Sequence, residues 1–518
     1  MNKREQKRLA RSGKPLIKLH VLGAAGGVTG SLNLIEYTQG DKTTRFLLDV
    51  GMHMENRRTD FSNRMPRGIK PGDVDFVIMS HAHIDHSGYL PKLVKDGFRG
   101  KVYCTPATAD LVKILLPDSG YLQEEQARRF NKRQAKAAAE SDQAQTREAP
   151  SKQPLYTQKE AEASLAYLST IDYDTRTELA PGIAVTFTEA GHILGAAVVN
   201  LDLGTGGQKR TLCFTGNIGR RKMALLRELA PVRGADFLIT ESTYGNKTHL
   251  KRDRLVELAR IVNEGYERAK VKDGRNGYGV ILIPAFAVGR VQVVLDDLRQ
   301  LMESGAIPEL PVFLDGRMSV TATEIHRKHK DILNAETRKV FAAGKDPFAT
   351  KRFAICREWK DSMALQNPAS EPVIIIGSSG MANGGRIVSH LQRRLSGQNN
   401  TVVFVGYQGT GTLGQSLVRF TDNPPASVGK CPAPCPKTVY VQGKQLKVRA
   451  KIEFMSDYSG HADYEDILWW LRQFKIKPRK TLVVHGDPDS LTALRDRIHE
   501  ALGWDVVVPA VRETFDIL

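Results

Sequence analysis

Cysteine is scarce in this sequence, tryptophan scarcer, and long apolar runs are missing. Five cysteines in 518 residues (Cys104, Cys213, Cys356, Cys431 and Cys435) are too few, and odd in number, for a disulfide framework. That usage fits a reducing, cytoplasmic setting. No window approaches the roughly 18 consecutive apolar residues of a membrane-crossing helix. The N-terminal MNKREQKRLARSGK is basic but no apolar core follows it, so it does not read as a secretory signal. Acidic residues are also in deficit: 57 Asp and Glu face 75 Lys and Arg, a formal net charge of +18. Such an excess draws polyanions and speeds their capture, but charge kept for solubility would give the same total.

The 41% hydrophobic and 25% charged fractions are those of a globular protein, and 518 residues exceed one ordinary core, so two domains are expected. Residues 1–14 read as a basic arm. From Ile17 the runs IKLHV, SLNLIEY and TRFLLDVG are strands separated by glycine-rich turns. Short strands and helices alternate to about residue 225, as sheets covered by helices do. Residues 121–160 are charged, helix-favouring and poor in β-branched types, which predicts a solvated surface helix and loop rather than a binding arm. Beyond about residue 250, GVILIPAF, LPVFLDG, EPVIIIGSSG and NTVVFVGYQG alternate with helical stretches, a rhythm that implies a parallel sheet. TDNPPASVGKCPAPCPK reads as a connecting loop. Its Cys431 and Cys435 could be half a metal site or a redox pair, with a structural or incidental role favoured.

The densest chemistry is SHAHIDHSG, residues 80–88, directly after the apolar DFVIM. His81 and His83 stand at alternate positions of an extended strand end and so point the same way. The turn that follows can swing Asp85 and His86 toward a second point. Four nitrogen and oxygen ligands this close suit zinc, and they are too many for one ion that must keep an open position. Two metal ions are the economical reading.

HxHxDH resembles the signature of the metallo-β-lactamase superfamily, and further elements follow in order. FLLDVG supplies Asp49 and EAGHILGA supplies His192. Then come TESTYG with Glu241, PAFAVGR with Arg290, GSSGMANGGR at 377–386, GYQGTGTLGQS at 406–416, SDYSGHAD with His461 and VVHGD with His485. From about Leu19 to the C-terminus this order resembles the β-CASP nucleases, RNA-processing relatives of the cleavage and polyadenylation specificity factor nuclease. The resemblance implies an α/β architecture: a four-layer αββα metallo-β-lactamase domain with an inserted parallel-sheet β-CASP domain. The boundaries implied are 1–240, 241–444 and 445–518.

Carried over, the resemblance assigns His81, His83 and His192 to one Zn²⁺ ion and Asp85, His86 and His485 to the other. Asp49, Asp85, Glu241 and His461 form the implied catalytic set. Asp49 would orient ligands and the attacking water; Glu241 would orient His461, which would protonate the leaving oxygen. FTGNIGR departs from the pattern, because Asn217 stands where the family carries an aspartate bridging both metals. Loss of that negative charge should weaken at least one site. A natural variant with altered occupancy, a non-catalytic relative and an engineered change all remain open, and the otherwise intact ligands favour a working site.

In the second domain the backbone of Ser378, Ser379 and Gly380, in a turn between strand and helix, could cradle phosphate, with Arg290 and Arg386 gripping backbone oxygens. A histidine at the last motif, His485, places the chain with RNA-acting relatives rather than DNA-acting ones. The implied reaction is hydrolysis of single-stranded RNA, internal with a 5′-exonucleolytic mode as a second capability, leaving a 5′-phosphate and a 3′-hydroxyl. The implied partners are single-stranded RNA and a second copy in a homodimer, without a membrane; no added KH-type module is expected before the fold. An RNA-binding relative without activity is the alternative that Asn217 raises. A DNA nuclease and a small-molecule hydrolase are further alternatives, disfavoured by His485 and by the β-CASP motifs.

Overall fold

Strand Leu16–Val21 reads LIKLHV, and its burial follows its alternation: Ile17, Leu19 and Val21 are buried and the residues between them are half-buried. A period of two gives each such strand one face for a core and one for other uses. The computed structural model describes residues 15–53, 65, 68–139, 151–250, 252–274, 277–425, 428–431 and 435–517. The basic arm 1–14 and residues 140–150 of the charged segment lie outside the described residues.

The chain divides into two units: 1–223 with 227–248 and 461–518, and 224–226 with 249–460. Two seven-stranded sheets form the first. One runs Thr514–Asp516, Leu16–Val21, Asn33–Gln39, Lys42–Leu48, Phe76–Ile78, Lys101–Cys104, Leu168–Thr170. The other runs Val506–Val507, Lys480–Val484, Phe237–Glu241, Arg210–Phe214, Ala197–Leu203, Ile183–Glu189, Thr177–Ala180. Their inner faces share one core, with Leu19, Phe46 and Phe76 from one sheet meeting Phe187, Val199 and Leu482 from the other. Phe46 and Phe76 stack with ring centroids 4.8 Å apart. Helices such as Pro106–Ala139 and Pro488–Leu502 pack against these strands, which completes the expected αββα layering. Among the described residues no helix is long and apolar enough to cross a membrane.

The second unit has a six-stranded sheet in the order Phe353–Cys356, Val312–Asp315, Val373–Gly377, Val280–Pro284, Thr401–Phe404, Lys451–Phe454. Every neighbouring pair is parallel. Such strands are covered on both faces, which is why VILIP and VIIIG are buried throughout instead of alternating. The unit extends past the expected boundary at 444 because Lys451–Phe454 joins this sheet beside Thr401–Phe404.

Cys431 and Cys435 are joined as a disulfide, their Cα atoms 5.8 Å apart, a span that suits a bridge. Cys431 and Cys435 therefore form one local link and not half a metal site, while Cys104, Cys213 and Cys356 are free and buried. Phe187, fully buried between the two sheets of the first unit, should be costly to truncate. Phe187→Ala is expected to destabilise by about 3–5 kcal/mol in urea unfolding; a loss below about 1 kcal/mol would show that the two faces are not packed as described.

Candidate metal centre

The candidate ligands come from strand ends, the turns after them and one short helix, all in the first unit. Strand Phe76–Ile78 is entirely buried and leads straight into Ser80 and His81. The short helix Ile84–Ser87 then carries Asp85 and His86. His192 lies in the turn after Ile183–Glu189, Asn217 after Arg210–Phe214, and His485 after Lys480–Val484.

Two triads result. In the first, His83 Nδ1 lies 3.2 Å from His81 Nε2 and 3.3 Å from His192 Nε2. In the second, His485 Nε2 lies 3.1 Å from His86 Nε2 and 3.3 Å from Asp85 Oδ2. The ligand atoms of each triad lie within 4.8 Å of one another. Zinc with tetrahedral bonds of about 2.0–2.1 Å holds its nitrogens about 3.3 Å apart, so the nitrogen spacings fit the ion. The two triads adjoin, with His81 and His86 ring centroids 4.0 Å apart.

Tautomers are set by neighbours, not left to chance. Ser80 Oγ donates its proton to Asp49 Oδ2, so it accepts from His81 Nδ1 at 3.0 Å and leaves Nε2 bare toward the triad. Thr243 Oγ1 donates to the carbonyl of His485 and lies 3.2 Å from His485 Nδ1, the same device on the second triad. His86 Nδ1 donates to Asp49 Oδ2 at 2.6 Å. Asp49, fully buried, also accepts from the Ser80 amide at 2.7 Å and from Ser31 Oγ at 3.1 Å. Hydrogen bonds of this kind fix ring direction and raise ligand basicity.

Burial, then the charges of His86, His83 and His192, hold His81 well below the usual imidazole range, so it is neutral and ready to ligate. Burial opposes charge on Asp85, yet the imidazoles of His86 and His485 keep its carboxyl below the ordinary range. For His86 burial likewise opposes charge, and the Asp49 and Asp85 carboxylates outweigh it and raise the pKa.

Asn217 is buried, and among the described residues no donor reaches its Oδ1. A buried carbonyl oxygen is normally satisfied, so an orphan beside two ligand triads has the character of a ligand awaiting a cation. The residues therefore fit bound metal, toward which Asn217 would offer a neutral oxygen. Backbone strain adds to the picture: Asp49 at φ 59° and His485 at φ 53° occupy the left-handed region, which non-glycine residues avoid and functional sites tolerate. Gly51 has no substitute, because a Cβ there would fall 1.7 Å from the Asp85 carbonyl oxygen.

Opposite the ligands, Glu241 ends strand Phe237–Glu241 fully buried and accepts from His461 Nδ1 at 3.0 Å. Its other oxygen takes the Ile218 amide at 2.7 Å. Burial favours its neutral form, but the neighbouring His461 imidazole draws its pKa below the usual range. With Nδ1 committed to Glu241, Nε2 is the ring nitrogen of His461 on the side away from that carboxylate. The ring centroid is 4.5 Å from His192 and 6.4 Å from His485, and the side chain retains 22% exposure.

The residues expected to hold phosphate all lie in the second unit. Ser378, Ser379 and Gly380 form the turn after Val373–Gly377, and Ser378 Oγ accepts from Ser319 Oγ. Arg290 begins the helix after Val280–Pro284, and Phe286 packs close to Gly380. Arg386 is engaged internally: its guanidinium donates to Asp315 Oδ1 and to the carbonyls of Cys356 and Arg357. These bonds tie the start of helix Arg386–Arg394 to the ends of strands Val312–Asp315 and Phe353–Cys356. Sequence reasoning missed Ser31, Ser80 and Thr243; the place of Ser80 next to HxHxDH and of Thr243 within TESTYG was the signal available.

Comparison with known proteins agrees with this geometry. Family models match for a metallo-beta-lactamase superfamily domain at residues 39–213, a Beta-Casp domain at 291–417, and a Zn-dependent metallo-hydrolase RNA specificity domain at 445–509. "Ribonuclease TTHA0252" of Thermus thermophilus is 31% identical over 473 residues, covering 91% of this chain and 94% of that one. "Transcription termination factor FttA" of Methanosarcina mazei is 31% identical over 467 residues, 89% of this chain but 66% of the relative. A crystal structure of a protein of unknown function from Enterococcus faecalis V583 superposes with TM-score 0.50 at 12% identity, covering 97% of this chain and all of that one, which speaks to the fold alone. Similarity that runs the length of a ribonuclease, through ligands the fold gathers into two adjoining triads, settles the relationship: this chain belongs to the metallo-β-lactamase superfamily, in its β-CASP branch of RNA-acting nucleases.

Proposed function

We propose that the chain is a zinc-dependent ribonuclease that hydrolyses phosphodiesters of single-stranded RNA, chiefly at internal positions, with 5′-exonucleolytic cutting at the same centre. The observation that carries this reading is the placement of the Glu241–His461 pair against two adjoining ligand triads. His81, His83 and His192 would hold one ion, Asp85, His86 and His485 the other, and Asn217 would lend its amide oxygen between them. When bound, the ions supply Lewis acidity toward water and phosphoryl oxygens at neutral pH.

The chain's own residues do the rest. Asp49 fixes the His86 ring and the strand end that bears His81. Glu241 holds His461 Nδ1, so that Nε2 can carry a proton to the departing 3′-oxygen. The products are then a 5′-phosphate and a 3′-hydroxyl. The net charge of +18 favours capture of a polyanion.

His461→Ala should lower kcat on single-stranded RNA by about 10²–10⁴-fold while zinc per chain and KM stay near their original values. A loss of zinc in that variant would move His461 from proton transfer to metal binding. Glu241→Gln should retain part of the activity, because an amide can still accept from Nδ1.

Asn217 supports one second reading, an RNA-binding relative without turnover. Its amide leaves two dications sharing one negative charge fewer than an aspartate would give. Asn217→Asp is expected to retain its second zinc against a competing chelator at higher concentration than the unmodified protein, and to cleave faster. Turnover that appears only in Asn217→Asp would establish the non-catalytic reading for the natural residue.

A further inference from the structure

Helix Pro106–Ala139 is longer than its packing requires. Its beginning belongs to the metal centre: Thr108 Oγ1 donates to the Gly195 carbonyl, in the turn that bears His192. It then packs against the Ile84–Ser87 turn that carries Asp85 and His86, and the Gln123 amide reaches Met52 Sδ at 3.8 Å. Beyond that point the composition changes. Residues 126–139 contain five basic side chains and no acidic one.

Four of those charges share a face with an aromatic ring. At 100° per residue, Tyr121, Arg128, Arg129, Lys132 and Arg133 fall within an arc of about 140°. All five are exposed, with Arg128 and Arg129 side chains at 67% and 76%. Leu116 and Ala127, on the other side, are buried. Both Arg128 and Arg129 turn toward the same carboxylate, Glu125, so cations outnumber the acid that faces them. A face kept only for solvation balances its signs; this one sets a lone acid, Glu125, against Arg128, Arg129, Lys132 and Arg133. A helix so polar gains little from a core of its own, yet it is pinned: Asn131 Nδ2 donates to the Lys152 carbonyl at 3.1 Å and its Oδ1 accepts from the Lys152 amide at 2.8 Å. The exposed face from Tyr121 to Arg133 is about 18 Å long at 1.5 Å per residue.

We propose that this face is a second RNA-binding surface, a rail that grips phosphates outside the metal centre and offers Tyr121, 46% exposed, for a base to stack upon. The partner is a single-stranded nucleic acid long enough to leave the metal centre and follow the helix. Cationic side chains along a backbone track, with an aromatic beside them, are the elements of sequence-tolerant single-strand binding. The inference rests on the ribonuclease reading above and extends it from the cutting site to substrate length.

The test is the double variant Lys132→Glu/Arg133→Glu in the full chain, with Lys132→Gln/Arg133→Gln as the milder companion should the first fold poorly. Binding is measured across a salt series on a ~20-nucleotide RNA, and cleavage on that RNA and on a ~5-nucleotide one. Removing two phosphate contacts should weaken binding of the long RNA by about tenfold and make log K against log salt shallower by about 1.4. Cleavage of the short RNA should be unchanged. Unaltered affinity and slope on the long RNA would overturn the rail while leaving the nuclease standing. An equal loss on both lengths would also overturn it, placing these residues at the cutting site itself. If the unmodified protein neither binds nor cuts either RNA, the ribonuclease reading fails and the rail with it.

Discussion

Like faces like at the heart of the first unit. Imidazole nitrogens of His81, His83 and His192 approach to 3.2–3.3 Å, and those of His86 and His485 to 3.1 Å. A nitrogen lone pair aimed at another in a buried setting is unfavourable unless a proton or a cation lies between them. One proton cannot serve His83 Nδ1 toward two partners at once. A cation can, and metal binding then returns free energy to the fold that gathers the ligands. Much else in the unit follows from that need: a neutral His81, a buried acid network behind the cluster, and backbone strain at Asp49 and His485.

The two-sheet core makes that arrangement affordable. The candidate ligands follow strand ends that are buried, as in Phe76–Ile78 and Thr481–Val484, so their positions are set by packing and not by flexible loops. Asp49 links the layers of the site. It receives Ser31, Ser80 and His86 together, so one buried carboxylate fixes elements of the chain far apart in sequence. The Glu241–His461 pair repeats the logic, with an acid buried behind a partly exposed imidazole.

Legibility in the sequence tracked how local the physics was. The HxHxDH residues lie within six positions, and the fold gathers His81 and His83 into one cluster and Asp85 and His86 into another. Apolar runs such as VILIP and VIIIG announced a parallel sheet because burial on both faces removes alternation. Ser80 and Thr243 were harder, since their role depends on where a single hydroxyl proton goes, which only three-dimensional neighbours decide. Arg386 was legible as a cation at a glycine-rich turn, but Asp315, distant in sequence, takes up its guanidinium. The domain edge near residue 460 was hidden for a similar reason: Lys451–Phe454 pairs with a strand fifty residues earlier. The charged segment was read as a solvated helix, and only helical geometry reveals that its cations line one side.

Everything above depends on two cations occupying the triads. Zinc per chain, measured by elemental analysis on freshly purified protein alongside cleavage of a labelled single-stranded RNA, tests this most directly. The account predicts about two zinc ions per chain, with cleavage lost when they are stripped and regained when they return. Protein that cuts RNA equally well after complete removal of metal, or that holds two zinc ions and cuts no RNA, would contradict it.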